Sequence, residues 1–244
     1  MKSVPKYGKK YPDIDWGCDY FQVDGFSSIE KIKICHVKVN DIKKISEALA
    51  RRVLDTSWMT TLDAGSQRGF EKTVKETASA LVEIFEQTQD LSTIGSEFGE
   101  VMVSIGSTKA LETIFNHQVL PIAELWKPKL KQNEGFDFHT VCKNELINFG
   151  EAKYSGSVNP HGDAIDQSKG FIDDEKHLRD YFYLKDLAPN SSVENLNNDN
   201  FGIVASFSIN SSNPIHILEN AVKTAELKLG SDCIKSVYLV GVSK

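Results

Sequence analysis

The sequence predicts an α/β (α+β) fold in which a central mixed β-sheet is flanked by helices. Three observations predict it. From residue 92 onward, apolar residues switch between a period of two and a period of three to four. Strand-like and helix-like segments are interleaved rather than grouped, which places both on one shared sheet. The stretch 236–242 (SVYLVGV) is an almost unbroken apolar run, the pattern of a strand buried on both faces. No internal repeat is present.

The chain has 244 residues, with 40% hydrophobic and 25% charged. That suits one large domain, or a core with an N-terminal elaboration. We divide it at about residue 90, into an elaboration or partner-binding region (1–90) and a core (91–244).

Residues 1–30 are polar and turn-rich, with Pro5, Gly8, Pro12, Gly17 and Gly25. The alternation in 31–39 (KIKICHVKV) predicts a strand. Asp41 can cap a helix over about 42–54. Phe70, Val74, Ala78, Leu81, Ile84 and Phe85 predict a longer helix over about 67–88. Another starts near Ser92 and carries Ile94, Phe98, Val101 and Ile105 on one stripe. Residues 117–126 read as an extended segment interrupted by Pro121. Strands are expected at 136–142 (FDFHTVC) and 146–154 (LINFGEAKY), then a helix at 162–180. The Asn- and Ser-rich stretch 188–200 reads as a surface loop. A strand at 202–208, a helix at 214–229 and the strand at 236–242 complete the order.

The formal net charge is −6 and the pI about 5.6. A chain that gripped DNA alone by neutralising phosphates would be basic. Either the cations gather on one face or a partner supplies much of the grip. Lysines cluster at Lys2, Lys6, Lys9 and Lys10, and again at Lys127, Lys129 and Lys131; the plain reading of both clusters is a solvated surface. Cys18, Cys35, Cys142 and Cys233 are scattered, without a C-x-x-C pair, which argues against a structural zinc site or a disulfide framework. Scattered thiols suit a reducing cytosol. No signal-peptide run and no stretch of roughly 18 apolar residues is present, so we expect a cytoplasmic protein. The P-loop pattern and the G-x-S-x-G elbow are both absent, so ATP hydrolysis and serine-esterase chemistry are not expected.

One constellation carries chemistry. Phosphodiester hydrolysis calls for a divalent cation that polarises the phosphoryl oxygen and lowers the pKa of a water. Mg²⁺ takes oxygen ligands, commonly one or two carboxylates with waters retained. Asp137 starts one predicted strand; Glu151 and Lys153 lie on the next. Residues two apart on a strand share a face, so Glu151 and Lys153 project together. Pairing of the two strands as a hairpin brings Asp137 to them. The Ala152 carbonyl can add a backbone ligand. Lys153 can orient or deprotonate the water, or neutralise charge in the transition state. A bare E-x-K is usually an ion pair on an exposed strand end. Here Phe136, Phe138, Ile147 and Phe149 mark both strands as buried, where a Glu and a Lys need a reason.

Gly135-Phe136-Asp137, followed by Phe149-Gly150-Glu151-Ala152-Lys153-Tyr154, resembles the PD-(D/E)xK restriction-endonuclease-like nuclease superfamily. The helix–strand–strand–strand–helix–strand order over about 92–208 matches that family's core. Phe136 stands where the family name has proline. The resemblance implies a Mg²⁺- or Mn²⁺-dependent DNA endonuclease or nickase. It implies Asp137 and Glu151 as metal ligands and Lys153 at the water. It also implies an acidic residue on the preceding helix and a polar one on the following helix. Glu97 and Glu100 share a helix face; Glu100, in Phe98-Gly99-Glu100, is preferred as the accessory ligand, and Gln167 is the polar candidate. Gly99-Glu100 together with Gly150-Glu151-Ala152-Lys153 is similar, more narrowly, to the nuclease subunit of Hachiman-type anti-phage defence systems. That likeness implies a superfamily 2 helicase partner, which would explain the acidic pI.

His139 shares the strand face of Asp137 and is read first as a satisfied core histidine, with a metal or phosphate contact as the alternative. His161 is read as capping the 162–180 helix, with a phosphate contact as the alternative. Two rival functions stay open: a catalytically silent nuclease-like fold that binds DNA or a partner, and a stand-alone restriction enzyme.

Overall fold

A computed structural model describes residues 6–25, 30–88, 94–126 and 135–244. The polar opening contains two strands, β1 (Lys6–Asp13) and β2 (Cys18–Asp24), joined by a turn at Gly17. Gly17 has φ 61°, a left-handed conformation that costs glycine little, and its carbonyl accepts from the N–H groups of Asn40 and Asp41. β1 lies at the rim of the sheet and is exposed along most of its length, so its sequence shows no apolar alternation. Its register against β2 shifts between Tyr7 and Lys10, a bulge.

β3 (Ile32–Val39) forms as expected. Asp41 caps α1 (Ile42–Leu54), accepting from the Lys44 N–H at 3.1 Å. After a 3₁₀ turn at Ser57–Thr61, α2 (Ala64–Thr88) buries Val74, Ala78, Leu81 and Phe85. α3 (Ser96–Phe115) is buried nearly all round from Val101 to Leu111, because other elements cover both of its sides. In place of the extended segment expected at 117–126 stand a two-residue strand, β4 (Gln118–Val119), and a helical turn, α4 (Ala123–Trp126). The Pro121 carbonyl there accepts from Trp126 Nε1.

β5 (Phe138–Val141) and β6 (Ile147–Lys153) form the expected pair. The single helix expected over 162–180 is two: α5 (His161–Asp173) and α6 (Lys176–Leu187), with Glu175 left-handed at φ 55° between them. Asp173, Asp174 and Glu175 put three carboxylates at the negative end of the α5 dipole, which disfavours continuation. The expected loop 188–200 contains α7 (Asn190–Asn197), seated by buried Val193 and Leu196; two apolar positions three apart were too faint a stripe among Asn and Ser. β7 (Phe201–Ile209) is buried throughout. α8 (Pro214–Lys228) starts with proline in its first turn and is capped by Asn213, which accepts from the His216 N–H. β8 (Ile234–Ser243) ends the series.

The strands form one eight-stranded mixed sheet in the order β1-β2-β3-β8-β7-β6-β5-β4. β3, β8, β7 and β6 run parallel; the outer pairs are antiparallel. Residues 6–39 therefore extend the sheet built by residues 118–243, through the β3–β8 pairing. α3 packs across the sheet with α1 and α2 against it, while α5 and α8 cover β6, β7 and β8. On β6, Phe149 meets Phe136, Phe201 and His177 of α6. Alternation then points Glu151 and Lys153 to this α5–α6 side. Among the described residues, no helix is long and apolar enough to cross a membrane.

Candidate active site

The β5–β6 hairpin assembles the centre. Phe138 pairs with Gly150, so Asp137, one residue outside β5, stands opposite Glu151. The Asp137 N–H donates to the Gly150 carbonyl at 2.9 Å. Asp137 Oδ2 accepts from the Ala152 N–H at 2.7 Å. Two bonds thus fix the backbone and carboxylate of Asp137 on β6. Gly150 is required here: a Cβ on it would lie 2.3 Å from the Phe138 ring. In a strand, one residue's N–H and C=O point the same way, so the Ala152 carbonyl also faces the Asp137 side.

Glu151 is 1% exposed. Lys153 Nζ lies 2.8 Å from Glu151 Oε1. Glu151 Oε2 has no hydrogen-bond donor among the described residues. Burial, above all, and then the Asp137 charge raise the Glu151 carboxyl well above its ordinary range, against the pull of Lys153; Glu100 adds to the rise. Lys153 is half-buried. Desolvation is the largest influence and lowers its pKa, but Glu151, Asp137 and Glu100 together outweigh it and the net shift is upward. Lys153 is thus held as an ammonium.

Glu100 is exposed on α3 and acts on both groups through its charge. Its neighbour sets this placement. A Cβ on Gly99 would lie 2.3 Å from the Tyr154 ring, so glycine lets α3 close on the end of β6. Glu97 is exposed one turn earlier. Gln167 is half-buried on α5, which packs on β6 and β7, and makes no side-chain hydrogen bond among the described residues. His139 is fully buried, with Nε2 3.0 Å from Asp180 Oδ2; it is a core histidine. His161 Nδ1 lies 3.1 Å from the Asn159 carbonyl, and no side-chain cap bond is formed at the start of α5, so the capping role expected for it is not seen. Asp180 and Tyr154 were not singled out from the sequence. Asp180 lies far from His139 along the chain, and only Tyr154, adjoining the motif, carried a signal. Lys6, Lys9 and Lys10 lie on β1; Lys2, Lys127, Lys129 and Lys131 lie outside the described residues.

No family model, curated protein or solved structure matches this chain.

Among the described residues, no three His, Cys, Asp or Glu side chains gather as a ready-made metal cage. The donors on offer are the Asp137 and Glu151 carboxylates and the Ala152 carbonyl. They fit a hard divalent cation that keeps several waters. The orphaned Glu151 Oε2 is the observation behind that fit: Lys153 meets only the other oxygen, a buried carboxylate oxygen left unpaired is costly, and a cation would offset the cost. Glu100 stands near enough to act through its charge, so any direct part it plays requires movement or a bridging water.

Proposed function

We propose that this chain is a Mg²⁺- or Mn²⁺-dependent DNA endonuclease or nickase, built on a restriction-endonuclease-like core that runs from α3 to β7. The observation that carries the proposal is Glu151: fully buried, one oxygen unpartnered, with Lys153 on the other oxygen and Asp137 opposite. Asp137 and Glu151 hold the cation with the Ala152 carbonyl. When bound, the cation polarises the phosphoryl oxygen and lowers the pKa of a water. Lys153 donates to the water or to the phosphate oxygen and offsets the charge that builds there; as an ammonium it has no lone pair to accept a proton. Gln167 and Glu100 support from α5 and α3. In this reading the protein is cytoplasmic, and is the effector of an anti-phage defence system of the Hachiman type, controlled by a helicase partner.

The test is nicking of supercoiled plasmid in Mg²⁺ or Mn²⁺, alone and with the co-expressed helicase. The double variant Glu151→Gln/Lys153→Ala should lose all cutting and keep its fold. Cutting by that double variant refutes the assignment.

A second reading is a silent nuclease-like fold that binds DNA or a partner. The lack of a three-ligand cage among the described residues favours it. A cation that binds the folded state raises the Tm; a silent module shows no shift.

A further inference from the structure

The parallel strands β6, β7, β8 and β3 all end at the same edge of the sheet. Their register links distant residues in one row: Lys153 pairs with Phe207, Phe207 with Gly241, Gly241 with His36, and His36 with Phe21. Directly paired residues share a sheet face. Lys153, His36 and Phe21 therefore belong to the same face. Strand spacing puts His36 about 14 Å from Lys153, three strands away.

At the His36 end lies an open cavity of about 590 Å³. One wall is aromatic. Tyr7 is 39% exposed, its ring 4.9 Å from that of Phe21 and stacked 5.6 Å from that of His36. His36 is locked: Nδ1 lies 2.9 Å from the Tyr7 hydroxyl and Nε2 2.9 Å from Ser243 Oγ. Lys38, Ser211 and Ser212 also line it; no Asp or Glu side chain is among the lining residues, and Asp19, which pairs with Lys38 across β2 and β3, is bound by Lys10 at 2.9 Å. This is a cationic, hydroxyl-bearing pocket on a protein of net charge −6. The pocket is tied to the candidate centre. Asn210 lines it and donates from Nδ2 to the carbonyls of Ser155 and Val158, both at 2.7 Å, in the loop that follows β6.

Aromatic faces that stack bases, set beside lysines that track the backbone, are the means by which proteins hold single strands. A duplex hides its base faces from such a platform. We propose that this cavity binds a single-stranded segment of nucleic acid, with a base on Tyr7 and a phosphate at Lys38, leading along the sheet edge toward Lys153. The direction of the strand rests on the nuclease reading; the binding site does not.

The experiment measures fluorescence anisotropy of labelled oligothymidylate and oligouridylate with the full chain in EDTA, over a range of salt. EDTA removes hydrolysis from the readout. The parent should bind at least one of the two, and which one separates DNA from RNA. Lys38→Glu should weaken binding on the order of 10-fold and lower the salt slope by about one. Tyr7→Ala should weaken it on the order of 10-fold, while Tyr7→Phe, which keeps the ring, binds as the parent does. Unchanged affinity in Lys38→Glu and Tyr7→Ala overturns the proposal. So does a parent that binds neither oligonucleotide, or a duplex competitor as effective as a single strand. A parent that binds here yet never cuts in Mg²⁺ sinks the nuclease reading and leaves this site standing.

Discussion

Asp137 Oδ2 accepts a 2.7 Å hydrogen bond from the N–H of Ala152, the residue between Glu151 and Lys153. A side chain outside β5 thereby closes onto the backbone of the E-x-K strand. The bond needs an acceptor, not a charge. Asp137→Asn should therefore keep the fold, with a Tm within a few degrees of the parent, and lose cation-dependent stabilisation. Asp137→Ala leaves the Ala152 N–H unpaired and should cost about 1–3 kcal/mol more. Thermal melts of both variants, with and without Mn²⁺, check this. A full cation shift in Asp137→Asn removes Asp137 from the ligand set.

Glu151 should show a conflict between stability and activity. Its folded pKa is raised, so the folded state binds the proton more tightly than the unfolded one. That stability is present below the unfolded pKa and is lost as pH rises through the folded value. At pH 8 in EDTA the buried carboxyl is a burden, since the unfolded chain ionises it freely and the folded one does not. Glu151→Gln should then melt higher by roughly 2–4 °C, the shift that about 1 kcal/mol makes in a domain of this size. The gain should shrink as pH falls through the unfolded value of about 4.3, below which Glu151 is neutral in both states. Calorimetry across pH decides; a variant less stable than the parent at pH 8 contradicts this account of the buried carboxylate.

Gly99 and Tyr154 form a steric pair. Gly99→Ala puts a methyl into the Tyr154 ring and should cost about 1–3 kcal/mol. It pushes α3, and Glu100 with it, off β6. Cutting should fall along with the Tm. Adding Tyr154→Ala removes the clash and should recover part of both in a double-mutant cycle. Strict additivity of the two changes would show that they do not touch in solution.

His139 and Asp180 serve the fold. Asp180→Ala removes the buried hydrogen bond at His139 Nε2 and should cost about 1–3 kcal/mol. The cation shift, measured below the lowered Tm, should persist. Loss of that shift alone, at unchanged stability, would give the pair a role at the centre.

Much of this architecture was legible because burial writes a period into the chain. The Asp41 cap, the α2 stripe and the strands β3, β5, β6, β7 and β8 all announced themselves. β1 did not, because an edge strand in water needs no alternation. α7 did not, because Val193 and Leu196 are all the apolar face it needs. The break at Glu175 was visible only as a run of acids, a weaker mark than glycine or proline. At the site, the E-x-K spacing carried Glu151 and Lys153, since strand geometry is the same in every protein. The hairpin register then fixed Asp137. Gln167 rests on helix position alone, and position does not set where a flexible amide points. The His139–Asp180 pair was out of reach, because no local pattern encodes a contact between β5 and α6.

The rim strand β1 has a further consequence. Among the described residues no strand pairs with the outer side of β1, and an unpaired sheet edge offers its amides to any other extended chain. Here that edge carries Lys6, Lys9 and Lys10, a bulge between Tyr7 and Lys10, and Pro12. Charge repels a second copy, the bulge spoils a straight template, and proline lacks the donor that pairing would use. The same lysines that make this border basic thus guard the protein against stacking edge-on into aggregates.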